Sequence, residues 1–125
     1  MTMHRLLVVD DEPLVADTLT AIFRRSGFEV RTAYSANGAM EVARVFEPEL
    51  LLCDIDMPVR DGLELMADFG REMPLCPILV LTGLYSALRG VRERAGTLTQ
   101  HVTILTKPCQ PADLLAEVSS ILHTV

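Results

Sequence analysis

Five short apolar runs, each followed by a segment with helical periodicity, constrain this 125-residue chain more than any other feature. They are RLLVVD (Arg5 to Asp10), FEVRTA (Phe28 to Ala33), LLLCD (Leu50 to Asp54), PILVLT (Pro77 to Thr82) and HVTILT (His101 to Thr106). FEVRTA is the weakest of them. Near-continuous apolar runs, in place of alternating ones, mark strands buried on both faces. Strands of that kind separated by helices imply a parallel sheet covered on both sides, with right-handed crossovers. The expected fold class is α/β, doubly wound, in a single domain over residues 1–125, with no internal repeat and no linker.

The helical segments carry their own signals. Leu14, Val15, Thr18, Leu19, Ile22 and Phe23 follow a helix period, with Pro13 suited to the first turn and Gly27 to the position past the end. Ser35 is a candidate cap for a helix whose inward face is Ala39, Val42, Ala43 and Phe46 and which Pro48 ends. Gly62, Leu65, Met66 and Phe69 form the next stripe, closed by Gly70 and Pro74. The last helix opens at Pro111 and buries Leu114, Leu115, Val118, Ile121 and Leu122. Between Leu84 and Gln100, two glycines predict a short or mobile helix, because Gly costs about 1 kcal/mol relative to Ala inside a helix.

Composition narrows the function. Half of the residues are hydrophobic and 22% are charged, as in a globular chain. No apolar run approaches a membrane span and no signal-peptide pattern opens the chain, so the expectation is a cytoplasmic protein without membrane contact. The net charge of −6 argues against a nucleic-acid surface. The local cluster Arg89, Arg92 and Arg94 reads first as a solvated helix face, and less well as a dock for an acidic partner. Cys53, Cys76 and Cys109 are odd in number and far apart, which fits reduced thiols better than a disulfide framework or a zinc site.

In open α/β sheets ligands collect beyond the carboxyl ends of the strands. Those ends carry Asp10 and Asp11, Asp54 and Asp56, Thr82, and Lys107. Taken singly, Asp10 and Asp11 read as helix caps, Thr82 as an ordinary strand end and Lys107 as a solvated residue. Together at one sheet edge they read as a site. Crowded carboxylates repel unless a cation relieves them, and an oxygen-rich set suits Mg²⁺ better than zinc. Carboxylates, a divalent cation, a hydroxyl and a lysine are the parts of phosphoryl transfer, in which an Asp can serve as nucleophile.

With LLVVDDEP, LLLCDIDMPVRDG, ILVLTG and ILTKP in view, the chain resembles the receiver domains of two-component response regulators over essentially its whole length. The spacing Asp54, Met57, Pro58, Asp61, Gly62 is the most specific of these motifs. The resemblance implies a flavodoxin-like sheet of strand order 2-1-3-4-5, with Asp54 as phosphoacceptor. It also implies Mg²⁺ held by Asp10, Asp11, Asp54 and the backbone carbonyl of Asp56. Thr82 would contact the phosphoryl group, Lys107 would pair with it, and the Lys107–Pro108 bond would be cis. Such a domain takes its phosphoryl group from a sensor histidine kinase or phosphotransfer protein and turns a surface toward a protein target that the sequence leaves unknown. It catalyses only its own phosphorylation and dephosphorylation.

Three departures stand out. Ile104 occupies a position that is aromatic in many receivers, the stretch from Thr82 to Lys107 is long, and Asp56 adds a negative side chain near the site. Asp56 together with Leu84 is therefore expected to tune the phosphoryl lifetime. Three other readings compete: a degenerate receiver serving as a phosphorylation-independent scaffold, an Asp-nucleophile phosphohydrolase, whose first motif DIDMP resembles, and a flavin-binding protein of similar topology, disfavoured because the loop after the first strand is acidic where a phosphate cradle is wanted.

Overall fold

The computed structural model describes residues 3–56 and 59–123, and within them strand and helix alternate. The order is β1 (Arg5–Val9), α1 (Pro13–Arg25), β2 (Glu29–Ala33), α2 (Ala36–Phe46), β3 (Leu50–Asp54), α3 (Val59–Glu72), β4 (Ile78–Thr82), α4 (Tyr85–Ala95), β5 (Val102–Thr106) and α5 (Pro111–His123). The five strands form one parallel sheet of order β2-β1-β3-β4-β5. This is the doubly wound, flavodoxin-like topology expected from the sequence.

Side chains along a strand point alternately to the two faces, so each continuous apolar run feeds two cores. Leu7, Val9, Leu51, Cys53, Ile78 and Val80 pack with residues of α2, α3 and α4, among them Ala39, Leu65, Phe69 and Val91. Leu6, Val8, Leu50, Leu52, Leu79 and Leu81 pack with Phe23 of α1 and Leu114 and Val118 of α5. The central strands β1, β3 and β4 are buried almost throughout, whereas the edge strand β5 is only half-buried.

Several helix ends follow the local signals. Pro13 opens α1, and Gly27 just beyond it adopts φ +96°, which only glycine takes without strain. The Ser35 hydroxyl accepts the Gly38 N–H at 3.0 Å and caps α2.

Other expectations need correction. Leu14 is 80% exposed, and α1 buries Ala16, Thr20 and Phe23. In α2 the buried residues are Ala39, Met40 and Ala43, while Val42 and Phe46 are half-buried. In α5, Leu115, Ile121 and Leu122 are half-buried. Helix α3 does not close at Gly70 but runs to Glu72. Helix α4 is a regular 11-residue element anchored by buried Ala87 and Val91, so two buried contacts offset the propensity cost of Gly90. On its outer face Arg89 pairs with Glu93 at 3.2 Å, both exposed, as befits a solvated face.

Gly62 lets α3 approach the end of β3. A Cβ there would lie 2.4 Å from Ile55 Cδ1 and 3.1 Å from Ile55 Cγ1, and Ile55 is fully buried. Overpacking of this kind costs about 1–3 kcal/mol, against roughly 1 kcal/mol that Ala gains over Gly in a helix. Gly62→Ala is therefore expected to lower the stability read from urea unfolding by about 1 kcal/mol, and by at most roughly 2. An unchanged midpoint would show that Ile55 swings aside freely.

Candidate functional site

Sheet register assembles the site. Strand order turns back between β1 and β3, and beyond the carboxyl ends of such a pair lies the crevice in which open α/β sheets bind ligands. The pairing of Val9 with Cys53 brings the following residues, Asp10 and Asp54, to its two sides. The pairing of Thr82 with Thr106, and the Lys107 N–H donating to the Thr82 carbonyl at 2.8 Å, set Lys107 beside β4.

Asp54 is 4% exposed and Asp10 2%. The Lys107 ammonium donates to Asp54 Oδ2 and lies 3.1 Å from Asp56 Oδ2. Asp54 Oδ1 accepts the Asp56 N–H at 2.8 Å. Burial opposes the charge on Lys107, but the Asp54 and Asp56 carboxylates outweigh it and hold the ammonium above its ordinary range.

On the other side of Asp54, Asp10 Oδ1 accepts the Glu12 N–H at 2.9 Å, while Asp10 Oδ2 is buried without a hydrogen-bond partner. Burial, and then the neighbouring Asp54 carboxylate, push the Asp10 carboxyl up to about 7, although the Glu12 N–H and Lys107 pull the other way. A buried acid with an orphaned oxygen beside a second carboxylate has the donor chemistry of a hard-cation site.

The site thus unites Asp10, Asp54, Asp56, Thr82 and Lys107. It does not gather the four acids into one cluster. Asp11 is exposed, and among the described residues no three His, Cys, Asp or Glu side chains are grouped as a metal site. Asp11 lies beyond β1 in the bend before α1, at the solvent-exposed edge of the site. Met57 and Pro58 of the acidic motif lie outside the described residues. The Lys107–Pro108 bond is cis, and Ile104 packs half-buried against the α2–α4 core.

Sequence reasoning placed the Asp56 side chain near the site but did not name the donors that hold it. Asp56 Oδ1 accepts the Thr82 hydroxyl at 2.9 Å, and the Gly83 N–H reaches Oδ1 at 3.2 Å and Oδ2 at 2.9 Å. Burial pushes this carboxyl up, but the Gly83 N–H, the Thr82 hydroxyl and Lys107 together hold it below the usual carboxylate range. The available signal was stoichiometric: Asp54 and Asp56 stand two residues apart, with one lysine at the neighbouring strand end to serve both.

Residues 6–119 match the family of the response regulator receiver domain. The chain belongs to that family. Its fold overlays on a CheY-like response regulator receiver domain protein from Methanospirillum hungatei with a TM-score of 0.85, at 26% identity, covering 97% of this chain and 94% of the other. A chain from Chloroflexus aurantiacus assigned as a response regulator gives 0.81 at 34% identity, with 97% and 98% covered. The receiver domain of NtrX from Brucella abortus gives 0.81 at 27%, with 96% and 99% covered.

This receiver domain therefore has a role in phosphorylation-based two-component signalling, and its chemistry is performed on itself and not on a turned-over substrate. That sets aside the phosphohydrolase reading. Among the described residues of the receiver no helix is long and apolar enough to cross a membrane.

Proposed function

We propose that Asp54 is the phosphoacceptor and that the phosphoryl group comes from a histidine of a sensor kinase or a phosphotransfer protein. The observation that carries this reading is the buried Asp54 carboxylate at the switch point of the sheet, with the Lys107 ammonium on one oxygen. An Asp54 oxygen attacks phosphorus in line, forming a P–O bond as the P–N bond to the donor imidazole breaks. The donor ring, protonated on its other nitrogen, leaves as neutral imidazole, and the product is an aspartyl phosphate. Lys107 neutralises charge on the transferring oxygens, and the Thr82 hydroxyl donates to one of them.

Asp10, Asp54, the Asp56 carbonyl and Asp11 at the lip would hold Mg²⁺. The unpartnered Asp10 oxygen supports that assignment. Bound there, the ion supplies positive charge to oxygens that gain negative charge during transfer. The phosphorylated form then presents a changed surface to a target protein. Free thiols at Cys53, Cys76 and Cys109 suit a reducing, cytoplasmic setting.

Acetyl phosphate and Mg²⁺ test the reading directly by intact mass. The expected result is one phosphoryl adduct, lost at alkaline pH and absent from Asp54→Asn. A wild-type chain that takes up no adduct would leave the scaffold reading in its place.

A further inference from the structure

The groups best placed to receive phosphoryl oxygens are already engaged. The Thr82 hydroxyl, the Gly83 N–H and the Lys107 ammonium all converge on the Asp56 carboxylate, at 2.9, 2.9 and 3.1 Å respectively. Lys107 reaches Asp54 with the same ammonium. The arrangement is a small anion cradle, and its occupant belongs to the chain.

Resting on the reading of Asp54 as phosphoacceptor, we propose that Asp56 is a resident anion that competes with the phosphoryl group for Thr82, Gly83 and Lys107. Phosphorylation replaces the single negative charge of the Asp54 carboxylate with an acyl phosphate of up to about two, next to the Asp56 carboxylate. Like charges that share the same donors cannot both keep them. Phosphorylation is then an exchange: the phosphoryl oxygens take the hydroxyl, amide and ammonium, and the Asp56 side chain, already about a quarter exposed (24%), turns to solvent.

The exchange also gives this receiver a readout at the start of α4. The Thr82 hydroxyl oxygen accepts the Leu84 N–H at 3.1 Å, so the carboxylate, the hydroxyl and the Gly83–Leu84 backbone form one hydrogen-bonded chain. Releasing Asp56 lets that chain re-form around the phosphoryl group, whatever Ile104 does. This differs from a residue that merely alters the rate of hydrolysis, because it predicts a change in equilibrium affinity for a stable phosphoryl mimic.

The test uses the full chain, with beryllofluoride as the mimic at saturating Mg²⁺ and titration calorimetry as the readout, alongside acetyl phosphate labelling of the same proteins. Hydrogen bonds to charged groups carry enough energy that Asp56→Asn is expected to bind beryllofluoride about 10- to 100-fold more tightly than wild type. Asp56→Ala, which also removes the acceptor, should be at least as tight. In wild type alone, binding should free a carboxylate, seen as an Asp56 carboxyl carbon resonance shifting toward solvent-exposed values. Equal affinity in the three chains, with labelling intact, overturns the exchange and leaves Asp54 as phosphoacceptor. Failure of every chain to label overturns the Asp54 reading and the exchange with it.

Discussion

Asp10→Asn should make the metal-free protein more stable at pH 8, by on the order of 2–3 kcal/mol. The folded chain holds the Asp10 carboxyl up to about 7 where its ordinary value is 3.8. Between those values the folded state binds a proton that the unfolded state lacks. The contribution of Asp10 is therefore fully favourable below about pH 4 and is lost as pH rises through 7. At pH 8 the folded chain carries a buried charge beside Asp54 that it would shed if it could. The full separation corresponds to about 4 kcal/mol, and relaxation around the site brings the expected gain below that figure.

Asn keeps an oxygen for the Glu12 N–H and offers Asp54 an N–H in place of a charge. Urea unfolding in EDTA at pH 4.5 and pH 8 checks the sign: the variant should lead at pH 8 and the gap should close at pH 4.5. Added Mg²⁺ should raise the wild-type midpoint by mass action and move the variant far less. Coincident curves for the two chains at pH 8 in EDTA would remove the basis for treating Asp10 as a strained acid awaiting a cation.

What could be read in the sequence divides along a physical line. Strand positions were legible because a strand buried on both faces needs consecutive apolar residues, and few other structures do. The site was legible because polar residues at strand ends, in a parallel sheet, must share one edge. Side-chain direction was not. Thr20 is buried yet polar, and its hydroxyl shares a 2.7 Å hydrogen bond with Thr32, so a hydropathy stripe passes over it and takes up Leu14 instead. Gly70 reads as a helix breaker, but a Cβ there would stand 2.4 Å from Leu98 Cδ2, so its small size serves packing within a continuing helix. The directions of the Asp11 and Asp56 side chains are hidden from the sequence for a related reason. Spacing says which residues reach the edge, while the backbone turn there decides whose carboxylate points in.

Lys107→Met is the counterpart experiment, with the opposite sign. Met preserves the aliphatic stem and removes the ammonium that Asp54 and Asp56 share. Breaking a buried ion pair costs about 3–5 kcal/mol, and the one-third exposure of the Lys107 side chain brings the expected loss to about 2 kcal/mol. The pH profile follows from both partners. Asp56 is held below its ordinary range and Lys107 above its own, so the pair stabilises the fold from about pH 4 up to about pH 10 and fails outside that window. Wild type and variant should thus diverge most near neutral pH, and the gap should narrow only as pH falls below the ordinary carboxylate range, where Asp56 takes up its proton.

The double variant decides whether one electrostatic unit underlies both results. Asp10 and Lys107 act on Asp54 from opposite sides, so removing the charge of Asp10 should relieve part of the repulsion that the loss of Lys107 exposes. Asp10→Asn combined with Lys107→Met should be more stable than the sum of the single changes by about 1 kcal/mol. Agreement with the sum to within about 0.5 kcal/mol would mean that the two sides of Asp54 are independent, and that the site is a repelling acid pair beside an ion pair instead of one coupled group.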